Sequence, residues 1–305
     1  MKKPILFQGN MKKDRYFEGW YFKQVCEKHQ QTISFIPGVS LIKGDEHAFV
    51  QVIIAPKIET HYFRFDIKEF STQDEPFSVR IANNIFKEDG ISIDLHNENL
   101  TVVGTLNYGE LKKIGSSLYS PTIMGPFTYI PNMECNHGVI SMDHSVNGQL
   151  AINDQTWLFE NDRGYIEKDW GTSFPKRYLW VQANHFDDPS ICFMASVAKI
   201  PFLGFSFNGV IANLIINDKE HRFATYNGYR DKNIEKIEGG FSFELKKGDD
   251  LCKVIVQFDD SGELKAPQYG AMSGVIKEGL GAKITLIYQG KTYVSEFGGA
   301  ELVGY

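Results

Sequence analysis

Hydrophobic and polar residues alternate with a period of two along most of this chain. Ile91, Ile93 and Leu95 are set against Ser92, Asp94 and His96, and Phe241, Phe243 and Leu245 against Ser242, Glu244 and Lys246. Val254, Val256 and Phe258 stand in the same way against Lys253, Ile255 and Gln257. Successive side chains of a strand point to opposite faces, so each run predicts a strand with one buried and one wet face. Gly, Asn and Asp turn signals separate the runs at short intervals. Only residues 109–118 and 230–238 read as weakly helical. Many short strands without alternating βαβ units predict an all-β protein of the barrel or sandwich class.

The pattern also repeats. Phe17 to Lys23, Ser34 to Ser40, Ala48 to Ile54 and His61 to Phe63 are followed in the second half by Arg177 to Ala183, Cys192 to Ala198, Gly209 to Ile215 and His221 to Phe223. The four offsets fall between 158 and 161 residues, with Trp20 matched to Trp180. A near-constant offset over four successive segments predicts an internal duplication, folded as two similar antiparallel barrels in tandem. The expected domains are 1–160 and 161–305, with the boundary between Trp157 and Tyr178.

Composition narrows the function classes. The chain has 305 residues, ample for two cores, and its 32 basic against 38 acidic residues form no basic block, so no nucleic-acid partner is expected. Cys26, Cys135, Cys192 and Cys252 form no C-x-x-C pair or zinc-like spacing, and reduced thiols are expected. The N-terminal apolar stretch is too short for a signal segment and no run approaches a spanning helix, so a cytoplasmic, at most membrane-peripheral, protein is expected. Aromatic content of 13%, with 23 Phe and 14 Tyr, fits thick sheet cores or an aromatic-lined cavity. No G-x-S-x-G elbow, Gly-rich phosphate loop or P-loop lysine is present, so neither nucleotide cofactor nor metal is expected.

Three stretches concentrate polar and aromatic residues. In the first, Glu18 and Trp20 share one strand face while Tyr21 and Lys23 share the other. In the second, simple alternation puts Cys135, His137 and Asp143 on one face and Glu134 and His144 on the other; histidine and carboxylate on one face can set each other's protonation state. In the third, Glu167 and Asp169 share a face about 7 Å apart, with Lys168 pointing away. Two neighbouring carboxylates repel when ionised, which raises one pKa and makes a proton donor. Trp170 follows, and Trp180, Gln182 and Asn184 lie just beyond.

These three stretches resemble the tocopherol cyclase family. The residues that carry the likeness are Phe17 to Lys23, Met133 to His144, Gly164 to Gly171, Phe174-Pro175 and Trp180 to Asn184. The family is similar to carotenoid hydratases and to lipocalin-like two-barrel proteins, which implies the duplicated β architecture. Its plant members close a prenylated hydroquinone to a chromanol without a cofactor. By that resemblance Asp169 or Glu134 would donate the proton, and Trp20, Tyr21, Trp170 and Trp180 would wall the pocket. His137 with Gln182 or Asn184 would orient the phenol, and Glu18, Asp143 and Glu167 would complete the substrate site. Acid-initiated cyclisation or hydration of an isoprenoid is the first expectation. A non-catalytic carrier of a prenylquinone or similar hydrophobic ligand is the second, and either one would collect lipid by transient membrane contact.

Overall fold

The computed structural model describes residues 3–131, 133–202 and 205–305. Among them the regular structure is β-strand with a few short 3-10 turns. The first half contributes β1 (Tyr16–Cys26), β2 (Gln31–Leu41), β3 (His47–Ala55), β4 (Glu59–Asp66), β5 (Phe70–Gln73), β6 (Ser78–Ile81), β7 (Asn84–Lys87), β8 (Gly90–His96), β9 (Thr101–Tyr108), β10 (Cys135–Ile152) and β11 (Gln155–Gly171). The second contributes β12 (Tyr178–Ala183), β13 (Cys192–Phe202), β14 (Phe205–Ile216), β15 (Lys219–Ala224), β16 (Arg230–Ile237), β17 (Gly240–Lys247), β18 (Asp250–Gln257), β19 (Gly262–Gln268), β20 (Ala271–Tyr288) and β21 (Lys291–Val303).

The two sheets share one topology. The first runs β4-β3-β2-β1-β11-β10-β9-β8-β7-β6-β5, and the second β15-β14-β13-β12-β21-β20-β18-β17-β16, with β19 paired to β20. In each, the opening strand pairs antiparallel with its successor on one side and with the last strand on the other. Trp20 on β1 and Trp180 on β12 sit on corresponding strands, opposite Lys168 and Glu301 respectively, but not at equivalent places. Trp20 points into the first core, whereas Leu179 and Val181 on either side of Trp180 fill the second and turn its indole to the other face. The edge strands β4 and β5 are joined by the turn Ile67–Glu69, which the Asp66 and Glu69 side chains cap reciprocally. So short a link holds the two edges side by side and curls the sheet into a barrel. The turn Thr225–Asn227 does the same for β15 and β16.

Alternation explains the interiors. Ile91, Ile93 and Leu95 join the first core, while Phe241, Phe243, Leu245, Val254 and Val256 join the second. The helical expectations fail. Residues 230–237 form edge strand β16, whose mostly exposed side chains lack a buried stripe of either period. Residues 109–112 spend backbone bonds on β10: Gly109 N–H donates to the Ser145 carbonyl, Lys112 N–H donates to the Asp143 carbonyl, and the Lys112 carbonyl accepts from Met142 N–H.

By its contacts the chain forms two compact units, neither of them contiguous. The first comprises residues 1–113, 132–174 and 264–275, and the second 114–131, 175–263 and 276–305. The expected cut at 160/161 falls inside β11, which runs unbroken to Gly171 as an interior strand of the first sheet, paired with β1 on one side and β10 on the other.

Candidate functional site

β11 lies between β1 and β10, and the register sets which residues meet. Asp169 stands opposite Gly19 on one side and His137 on the other, and Glu167 opposite Tyr21 and Val139. Directly opposed residues share a sheet face, so Tyr165, Glu167, Asp169, His137 and Tyr21 face one way. Ile166, Lys168 and Trp170 face the other, with Glu18, Trp20 and Phe22.

On the first face three titratable groups converge. His137 Nδ1 lies 2.9 Å from Asp169 Oδ1, and its Nε2 lies 3.3 Å from Glu167 Oε2. Tyr165 donates its hydroxyl to that same Glu167 oxygen at 2.6 Å. The Cys135 thiol sits 3.8 Å from Asp169 Oδ1, and Ser34 donates to the Tyr21 hydroxyl at 3.0 Å. Burial alone would push the His137 imidazole towards neutrality, but Asp169 and Glu167 override it and hold the ring well above the ordinary histidine value. Burial, then Glu167, pushes the Tyr165 hydroxyl up, so it stays a donor. Asp169 is the open edge of the cluster: its side chain is 25% exposed, against 11% for His137 and 6% for Glu167.

One ligand atom from each of His137, Glu167 and Asp169 lies within 4.8 Å of the others, a donor set that would suit a divalent ion. Both imidazole nitrogens face carboxylate oxygens, however, and a protonated ring has no lone pair to give. An ion entering there would have to displace a proton.

The opposite face belongs to the first core. Glu18 and Lys168 are both fully buried and meet at 2.6 Å. Glu18 also accepts from Gln8 N–H, Gly9 N–H and the Tyr16 hydroxyl, while Lys168 donates to the Leu6 carbonyl at 2.5 Å. Trp20 donates its indole N–H to the Ile5 carbonyl at 2.7 Å. This cluster is a latch that fastens the N-terminal segment into the first core, where Ile5 and Phe7 are buried. Trp20 and Trp170 share a face with that latch and not with Asp169, since adjacent strand residues point to opposite sides. Of the expected aromatic walls in this unit, only Tyr21 shares the Asp169 face.

Asp143 is not part of the His137 group. Both of its oxygens receive Arg163, at 2.8 and 2.5 Å. Bulges between Val139 and Ser141 and between Ser141 and His144 interrupt the alternation that linked it to His137. His144 turns instead against the Tyr108 ring in the first core, where burial drives its pKa down to about 3. The Glu134 carbonyl accepts from Thr172 and Ser173 N–H.

Trp180, Gln182 and Asn184 belong to the second unit and are buried; the Gln182 side-chain amide donates to Asn184 Oδ1 at 3.2 Å. Glu278, which the sequence reading passed over, is fully buried on the same sheet face, opposite Glu301. A Cβ on Gly299 would lie 3.0 Å from the Trp180 ring and 3.3 Å from Glu278 Oε1, so carboxyl and indole flank the same glycine. A signal was present: Ile276, Glu278 and Leu280 alternate as one buried face, with an acid in an apolar row.

Residues 108–294 match the tocopherol cyclase-like family. The chain belongs to that family. Within it, a probable chloroplastic tocopherol cyclase of Oryza sativa subsp. japonica is 20% identical over 224 residues, 57% of this chain and 48% of that protein. The chain thus spans about half the length of this curated relative. Two solved structures share the fold. A putative AttH from Nitrosomonas europaea superposes with a TM-score of 0.59 at 14% identity, covering 95% of this chain and 92% of that one. Kievitone hydratase from Nectria haematococca gives 0.58 at 13% identity, covering 94% and 88%. For this tocopherol cyclase-like chain they bear on architecture alone.

Proposed function

We propose that this chain carries out cofactor-independent, acid-initiated cyclisation or hydration of an isoprenoid or prenylated aromatic, with the His137–Asp169–Glu167 cluster as its acid centre. The observation that carries this reading is the clamping of one buried imidazole between two carboxylates, of which Asp169 alone is substantially open. Asp169 would take the proton that His137 holds, across their 2.9 Å contact, and pass it to the alkene. Tyr165 and Glu167 hold the far side of the imidazole. The alkene carbon gains that proton and a tertiary cation forms beside a negatively charged cluster and the Tyr21 ring, both of which stabilise it. Attack by the phenol oxygen forms the C–O bond and returns the phenolic proton to the cluster, so the cyclisation is a balanced isomerisation. Water in place of the phenol gives hydration by the same steps.

The test is turnover of a prenylated hydroquinone, or of whichever isoprenoid co-purifies, by wild type and by Asp169→Asn. The substitution keeps shape and removes the proton, and should cost about 10²–10⁴-fold. Wild-type turnover by Asp169→Asn would pass the role to Glu134. If Glu134→Gln is equally active, or no substrate turns over while lipid still binds, the carrier reading replaces this one.

A further inference from the structure

The connection after β9 carries no charged side chain from Ile114 to Met133. Within it Ser117 and Ser120 exchange backbone hydrogen bonds of 3.0 and 3.2 Å, closing a tight turn with Leu118 and Tyr119 at its tip. Turn tips ordinarily carry Gly, Asn, Asp or Pro; here Leu118 is 86% and Tyr119 85% exposed. Tyr129, 56% exposed, stands beside them and donates its hydroxyl to the Leu118 carbonyl at 2.6 Å. The turn is firmly mounted on the second unit. Arg222 donates to Ser120 Oγ at 2.7 Å and to the Gly115 carbonyl at 2.6 Å, and Glu220 accepts from Gly115 N–H at 2.6 Å. Large apolar side chains held out in water on a braced turn mark a contact surface.

We propose that the Leu118–Tyr119 tip is a lipid anchor that dips into the interfacial zone of a bilayer. Three observations favour lipid over a protein partner. The tip presents two residues and one neighbouring tyrosine, whereas a stable protein interface takes roughly 20–30 residues a side. The whole segment is uncharged, so entering the interface desolvates no ion. Tyr119 and Tyr129 pair an apolar ring with a polar end, the chemistry favoured at headgroup depth. Two side chains at the tip of one turn reach only headgroup depth, a contact of the peripheral kind. With a net charge of -6 the chain is repelled by anionic lipid, which makes a zwitterionic surface the fitting target.

The experiment is flotation of the full chain with phosphatidylcholine vesicles, without substrate, so that its outcome is separate from that of any turnover assay. Wild type should float with the vesicles, and raising salt should not release it, because the attraction is apolar. The double variant Leu118→Asp/Tyr119→Asp should partition about tenfold or more less strongly. Val275→Asp, at another exposed apolar position, should float like wild type. Failure of wild type to float, or equal flotation of the double variant, overturns the proposal. So does a wild-type dimer by light scattering that the double variant abolishes without any vesicle binding, which would make a second copy the occupant.

Discussion

Glu167 is one of two carboxylates that hold the His137 proton, and its share is separable from that of Asp169. Glu167→Gln keeps the side-chain shape and the Tyr165 contact but removes one charge 3.3 Å from the imidazole. An opposite charge at such range moves a pKa by about 1–3 units. The His137 pKa, followed by NMR titration, should therefore fall towards the ordinary histidine value; an unchanged titration would uncouple Glu167 from the site. His144 has the opposite shift. Its folded pKa is depressed to about 3, so its contribution to stability is present above the unfolded value near 6.5 and is lost as pH falls from there towards 3. The unfolding free energy of wild type relative to His144→Gln should thus decline below pH 6.5, by at most about 1.4 kcal/mol per pH unit. His137, raised, behaves inversely: its contribution is complete below 6.5 and fades as pH rises through its folded pKa.

Period-two patterning made β8, β17 and β18 legible because each has one face in a core and one in water. It also put Glu167 with Asp169 and turned Lys168 away, as found. The same rule could have separated Trp170 from Asp169, since neighbours on a strand never share a face. What it could not supply were the bulges of β10, which depend on how that strand bends against β11 and which took Asp143 out of the His137 group. Nor could it show that Glu18 is a latch, because the partners of the latch, the Gln8 and Gly9 amides and Lys168, are brought together only by the closed barrel. The β10–β11 hairpin yields a prediction of its own. A Cβ at Gly164 would lie 2.3 Å from His144 Nε2 and 2.9 Å from Val146 Cγ2. The His144 ring is held by Tyr108 at 4.5 Å and Ser141 at 3.0 Å and has nowhere to go. Gly164→Ala should cost about 1–3 kcal/mol by denaturant titration. Adding His144→Ala should recover part of that loss, and no recovery would point to backbone strain instead.

At the scale of the molecule the duplication was legible from a constant offset, since equivalent strands keep their spacing. The exchange of segments between the two units was not. Residues 264–275 belong to the first unit through several bonds: Ser40 Oγ donates to the Gly270 carbonyl at 2.7 Å, Gly270 N–H to the Thr172 carbonyl at 2.6 Å, and Gln51 and Lys265 bond reciprocally. Residues 114–131 belong to the second through Arg222, Glu220 and the Tyr226 hydroxyl, which donates to the Ile123 carbonyl at 3.0 Å. A chain ending at residue 174 would therefore lack the 264–275 hairpin and carry an uncharged segment stripped of the residues that brace it. Lost backbone partners destabilise the fragment, and exposed apolar surface makes it stick to itself. Expressed alone, residues 1–174 should unfold at a lower temperature than the full chain and aggregate on gel filtration. Replacing 114–131 by a short Gly/Ser linker should restore solubility, and adding a peptide spanning 262–278 should raise the unfolding temperature. A soluble, monomeric 1–174 fragment with the thermal stability of the full chain would mean that neither exchanged segment supports the unit it joins.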